Sequence, residues 1–166
     1  MGISILNKRT CELSQQVGER LARQGLWFTC AESCTGGLVA AYITEIPGSS
    51  AYFDRGFVTY SNQAKQDLLG VKPQTLHQWG AVSELTVREM ASGALKAANA
   101  DVSVAISGIA GPDGGTQDKP VGTVWFSWVH RDGRVLARKI CFTGDRHQVR
   151  QQAANYALTV VLEKFL

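Results

Sequence analysis

This sequence predicts an α/β fold, a three-layer α/β/α sandwich around a mixed parallel/antiparallel sheet. Two observations carry the prediction. Helical and strand-like stretches intermingle along the chain, the pattern that covers a sheet with helices on both faces. Near the end, two strand-like runs flank His130-Arg131-Asp132-Gly133. Asp-Gly between such runs makes a tight hairpin, so at least that pair is antiparallel. No internal repeat, low-complexity tract or linker interrupts the 166 residues. One domain spanning 1–166, with one sizeable core, is therefore expected.

The first helix is expected from about Asn7 to Gln24, where Leu13, Val17 and Leu21 repeat at four-residue spacing and Gly25 follows as terminator. Gly25 to Cys30 is short, apolar and aromatic, a buried strand. After a turn, Leu38-Val39-Ala40-Ala41-Tyr42-Ile43 begins a second helix that runs to about Glu45 and is ended by Pro47-Gly48-Ser49-Ser50. Phe53 to Tyr60 is a second strand. Ser61 is a good N-cap for a short helix over Asn62 to Leu69, closed by Gly70. Gly80 to Ser83 forms a turn, and Glu84 to Asn99 a helix with Leu85, Met90, Ala94 and Leu95 as apolar positions. Asp101 to Ser107 alternates as a strand. A long loop over 108–120 carries four glycines and two prolines. Val121 to Val129 and Arg134 to Phe142 are the hairpin strands. Asp145, with Gln148 three residues on, matches a capping box for a last helix reaching Phe165.

Composition narrows the function classes. The chain is 45% hydrophobic and 19% charged, with a net charge of +3. That charge is too small to argue for nucleic acid or an acidic membrane as partner, and the apolar runs are too short to span a bilayer. Met1 to Thr10 contains no long apolar segment of the secretory type, so a cytoplasmic protein is expected. Cys11, Cys30, Cys34 and Cys141 form no C-x-x-C pair, and His77, His130 and His147 do not cluster with them. No metal site is expected from such spacing. A homo-oligomer, dimer or higher, is the usual state of a compact protein of this size.

The stretch that concentrates chemistry is Ala31-Glu32-Ser33-Cys34-Thr35-Gly36-Gly37, between a strand and a helix. Gly36 and Gly37 let backbone N–H groups approach a ligand, and a helix start presents unpaired donors. A Ser33 hydroxyl held there is placed to attack a carbonyl, with those N–H groups around the oxyanion. Ser33 as a helix N-cap remains the alternative. Cys34 is a second candidate nucleophile, because a thiol near a helix start gains thiolate character. Lys65 falls in the first turn or so of the 62–69 helix. Burial and the positive helix end both disfavour its ammonium form, and a neutral lysine is a general base. A solvated surface lysine is the alternative. Successive glycine N–H groups of the 108–116 loop can nest an anion such as a phosphate. Arg146 and Arg150, four apart on the last helix, either clamp a phosphate or are surface charges.

Taken together, Ala31 to Gly37, Arg55 to Lys65, Gly80 to Ser83, Ser107 to Thr116 and Lys119 to Val124 resemble the CinA C-terminal family over nearly the whole chain from about residue 10. The resemblance implies hydrolysis of the carboxamide of nicotinamide mononucleotide to nicotinate mononucleotide and ammonia, as part of pyridine nucleotide recycling and without a cofactor. It implies a serine–lysine pair, here Ser33 and Lys65, with Tyr60 as a third catalytic member. The substrate would then meet the backbone of Cys34, Thr35, Gly36 and Gly37, with Tyr60 or Phe57 as a wall for the ring. Gly108, Gly111, Thr116, Ser49, Ser50 and Arg146 are the candidate donors to the 5′-phosphate. In familiar serine–lysine hydrolases the lysine follows the serine by one helical turn. That position is Gly36 here, so the base has to come from another segment. A pyridine-nucleotide-binding module without turnover, and an amidase for free nicotinamide, are the competing expectations.

Overall fold

A computed structural model describes residues 6–166, so the first half of the N-terminal stretch read for a leader lies outside the described residues. Five strands form one sheet in the order β2-β1-β3-β4-β5. They are β1 (Phe28–Glu32), β2 (Phe57–Val58), β3 (Val102–Gly108), β4 (Thr123–His130) and β5 (Val135–Cys141). β1 runs parallel to β2 and β3, β4 is antiparallel to β3, and β5 is antiparallel to β4 across the predicted hairpin. The sheet is therefore mixed.

Helices cover both faces. On one side lie α1 (Lys8–Gln24), α2 (Leu38–Thr44) and α6 (Arg146–Val160), the last continuing as a π-helical turn over Val161–Phe165. Val17, Leu21, Val39, Ile43, Val149 and Ala157 of these helices bury against Cys30, Val104, Phe126 and Trp128 of the sheet. On the other side lie α3 (Asn62–Leu69), α4 (Pro73–Trp79) and α5 (Glu84–Ala97). Leu69, Leu76, Val87, Met90 and Ala94 pack there against Ala31, Ala105 and Val129. The alternation of strand side chains between these two cores makes the three-layer sandwich.

Local chemistry explains most boundaries. Gly25 closes α1 and Gly70 closes α3 in the left-handed region, where a glycine meets no Cβ penalty. Ser61 accepts the Ala64 N–H at 3.0 Å, and Asp145 with Gln148 forms the reciprocal capping box.

Several elements differ from the sequence expectation. β1 sits later, at Phe28–Glu32 rather than Gly25–Cys30, because its partner β3 pairs Phe28 with Val102 through Glu32 with Ile106. Ala31 and Glu32 are thus strand and not turn. The second strand shrinks to Phe57–Val58, with Phe53 forming an isolated bridge to Phe28, and the Thr29 hydroxyl donates to Arg55 O in between. α4 was not foreseen, although Pro73 at its first position is a recognised start signal. Leu85 is exposed rather than core. β3 is buried on both faces, so its alternating pattern did not mark a half-wet strand.

Candidate active site

Chain order fixes where a site belongs. β1 is followed by β2 on one side and, after α3 to α5, by β3 on the other. Open α/β sheets bind ligands outside the carboxyl ends of the strands, at the point where the chain order reverses. Ser33 is the first residue past β1 at that point, and its N–H donates to Ile106 O on β3 at 3.0 Å.

From Ser33 the chain makes a tight turn. The Gly36 N–H donates to Ser33 O at 3.0 Å, and Gly36 and Gly37 take positive φ of 57° and 102°. Gly37 is the N-cap of α2, so Ser33 is not the cap. The N–H groups of Cys34, Thr35 and Gly37 have no backbone acceptor among the described residues. Beneath the turn the buried Glu32 carboxylate accepts from Val39 N at 2.9 Å and Ala40 N at 3.1 Å, joining the end of β1 to the start of α2. Glu32 escaped the sequence reading, because an acidic residue inside a strand carries no periodic signal.

Lys65 enters from the opposite face on α3 and is 1% exposed. Its Nζ lies 3.1 Å from Ser33 Oγ, 2.8 Å from Thr59 O and 3.3 Å from Tyr60 O. Among the described residues no carboxylate lies within ion-pair distance of it. Burial without a counter-ion pushes its pKa below the ordinary lysine value, a shift the nearby Cys34 thiol partly opposes. The two carbonyls can only accept. A neutral amine that donates its two N–H bonds to Thr59 O and Tyr60 O keeps its lone pair for Ser33 Oγ, which then donates.

Cys34 does not behave as the sequence suggested. Its thiol is 6% exposed and pushed up to about 12, first by burial and then by the Glu32 carboxylate. The helix start does not compensate, so the thiol is an inert packing group. Thr35 is fully buried, and its hydroxyl has no partner among the described residues.

Other predicted residues divide between this end of the sheet and elsewhere. Tyr60 is 64% exposed, and its hydroxyl accepts from Arg146 Nη2 at 3.3 Å; it is the Tyr60 carbonyl that faces Lys65. Arg146 Nη1 donates to Gly111 O at 2.9 Å, which ties the glycine-rich loop to α6. Gly108 ends β3 opposite Val124. Arg150 does not join Arg146 in a clamp; it donates to Cys34 O and Thr35 O. Phe57 packs into the α5-side core and is paired with Ala31, so it is not a free wall. Thr116 closes a small exposed turn, its hydroxyl accepting from Lys119 N and its N–H donating to Lys119 O. Ser49 and Ser50 are the clearest correction. They lie on a 3-10 turn whose next residue, Tyr52, accepts from Phe28 N at the beginning of β1. The five residues of β1 separate them from Ser33, about 16 Å at the usual strand rise. A groove of about 550 Å³ lined by Trp79, Leu85, Trp125 and Lys139 lies on the α5 side and contains neither Ser33 nor Lys65.

Among the described residues no helix is long and apolar enough to cross a membrane, and no group of three or more His, Cys, Asp or Glu is placed to hold a metal ion. Comparison with known proteins gives a consistent picture. The family model of the CinA C-terminal domain matches residues 10–165. The nicotinamide-nucleotide amidohydrolase PncC of Enterobacter agglomerans is 62% identical over 159 residues, covering 96% of this chain and 97% of its own. The protein of that name from Escherichia coli K12 is 59% identical, covering 93% and 94%. Among solved structures, the competence/damage inducible protein CihA of Agrobacterium tumefaciens superposes with a TM-score of 0.94 at 43% identity, covering 96% of this chain and 98% of that one.

Proposed function

The chain belongs to the CinA C-terminal domain family, and on that premise we propose that it is an amidohydrolase that converts nicotinamide mononucleotide and water to nicotinate mononucleotide and ammonia. The names of its relatives support the substrate. The observation that carries the chemistry is the Lys65 Nζ to Ser33 Oγ distance of 3.1 Å, with the other two Nζ contacts going to carbonyls.

In this reading neutral Lys65 takes the Ser33 hydroxyl proton as Oγ attacks the carboxamide carbon. The carbonyl oxygen becomes an oxyanion beside the unpaired N–H groups of the 34–37 turn. The protonated Lys65 delivers its proton to the nitrogen, the C–N bond breaks, and ammonia leaves an acyl ester on Ser33. Water, deprotonated by the same lysine, then hydrolyses the ester and restores the serine. Tyr60, exposed above the pair, is the candidate wall for the pyridine ring. Arg146 and the loop around Gly111 are the candidate anchors for the 5′-phosphate, since Arg146 uses one N–H on the loop and one on Tyr60 and keeps further donors.

The test is ammonia release from nicotinamide mononucleotide by wild type and Ser33→Ala in the presence of a chelator. Turnover in wild type that disappears in a folded Ser33→Ala supports a serine amidohydrolase. A folded wild type that binds the nucleotide without releasing ammonia rejects it.

A further inference from the structure

Ser33 and Lys65 are both tied to Glu32, the last residue of β1. Ser33 follows it in the chain. From the other side the Thr59 N–H donates to Glu32 O at 2.9 Å, and Thr59 O accepts from Lys65 Nζ at 2.8 Å. The peptide between Glu32 and Ser33 is held at both edges, because the Ser33 N–H donates to Ile106 O at 3.0 Å.

This backbone frame does not account for the Glu32 side chain. It is 1% exposed, and among the described residues no Lys, Arg or His lies within ion-pair distance of it. A carboxylate in such a place is costly. Its oxygens are divided between two donors at the start of α2. Oε1 accepts from Val39 N at 2.9 Å and Oε2 from Ala40 N at 3.1 Å, with the Cys30 thiol also donating to Oε2 at 3.6 Å. The bonds to α2 close the chain from Glu32 to Ala40 into a loop. Inside that loop lie Ser33 and two glycines, Gly36 and Gly37, at φ of 57° and 102°. Glycines give a turn little stiffness of its own. Its inner bonds, Gly36 N–H to Ser33 O and Leu38 N–H to Thr35 O, tie the turn to itself. Arg150 touches it from α6, at Cys34 O and Thr35 O. It is the carboxylate that joins the start of α2 back to β1.

We propose that Glu32 is a positioning residue whose side chain fixes the 33–37 turn, so that Ser33 Oγ stays within the 3.1 Å reach of Lys65 Nζ as it attacks. This rests on the amidohydrolase reading above. The carboxylate is buried beneath the turn and touches no substrate. The candidate nucleotide contacts, Tyr60, Arg146 and Gly111, lie outside the loop it closes. Loss of the side chain therefore loosens the alignment of the reacting groups, on which the rate depends steeply, and leaves nucleotide binding in place.

Steady-state hydrolysis of nicotinamide mononucleotide by wild type, Ser33→Ala, Glu32→Gln and Glu32→Asp, at temperatures where circular dichroism finds each variant folded, tests this. Glu32→Gln keeps the shape but offers one oxygen to the two N–H donors and sets its own NH2 against the other. Glu32→Asp keeps the charge and is one methylene short of the bridge. Both are expected to keep their KM and lose roughly 10–10² in kcat. A merely structural side chain would lower the thermal midpoint and leave both constants alone. Wild-type kcat in a folded Glu32→Gln, or a loss confined to KM, overturns the inference. Should Glu32→Gln fail to fold, wild-type kcat in Glu32→Asp overturns it as well. Failure of both variants to fold makes the carboxylate a requirement of folding and overturns it too. An inactive wild type, or a fully active Ser33→Ala, overturns the amidohydrolase reading instead, so the two failures are told apart.

Discussion

Gly93 of α5 sits directly against the backbone carbonyl of Leu69, the last residue of α3, so closely that a Cβ there would overlap the oxygen. α3 carries Lys65 one turn earlier, so this approach sets how far α3 stands off α5 and hence how far Nζ reaches towards Ser33. Gly93→Ala forces the two helices apart. Overpacking of this kind costs about 1–3 kcal/mol, and the displacement also separates the amine from the hydroxyl. A lower thermal midpoint together with a lower kcat at temperatures where the variant is folded is the expected outcome. A folded Gly93→Ala with wild-type kcat would mean that the reach of Lys65 does not depend on this contact.

Ser33 and Lys65 should act as one unit. Lys65→Met removes the base and is expected to lower kcat by about 10²–10⁴. Ser33→Ala removes the nucleophile altogether. Residues that share one step are strongly non-additive, so the double variant should be no slower than Ser33→Ala. Measured ammonia release from the three variants decides the matter. Losses that multiply would show that the two side chains serve separate steps.

The lowered pKa of Lys65 makes two statements about pH. Only the neutral amine is a base, so kcat/KM should rise with pH through the folded pKa, which lies below 10.5, and this limb should vanish in Lys65→Met. Stability has the same sign. Between the folded pKa and 10.5 the unfolded chain binds a proton that the native chain does not, so the wild type gains stability as pH rises across that window. Below the folded pKa both states are protonated and the full penalty of the buried charge is present. Denaturant titrations at several pH values should find the wild type gaining on Lys65→Met across the window; a pH-independent difference would contradict the shift.

The turn at Ser33 and the short helix carrying Lys65 were legible from local signatures, while their pairing rested on the family resemblance. Gly36 and Gly37 mark a turn after a strand, and Ser61 and Gly70 bracket a short helix that places Lys65. The supporting contacts were not legible, because they are long-range. Arg150 is 116 residues from Cys34, and nothing in its helical spacing distinguishes it from Arg146. Glu32 looked like part of a turn until the pairing of β1 with β3 carried the strand through it. Ser49 and Ser50 were misplaced for a related reason. Their hydroxyls suit a phosphate, but composition does not tell which end of the sheet a loop occupies, and α2 carries the chain back to the beginning of β1 before they occur.

Cys34 separates adjacency in sequence from participation in chemistry. It follows Ser33 directly, yet its thiol is nearly inaccessible and its pKa stands at about 12, raised by burial and by the negative Glu32 side chain. The nucleophile of a thiol is its thiolate, and almost none is present at neutral pH. In iodoacetamide labelling of the native protein, the exposed Cys141 should modify well before Cys34. Cys34→Ala should keep its turnover and lose about 1 kcal/mol of stability, the common size of a single-site change. Should a folded Cys34→Ala lose ammonia release while Ser33→Ala retains it, the attacking atom would be sulfur, and the contact between Lys65 and Ser33 would be a packing feature of the turn.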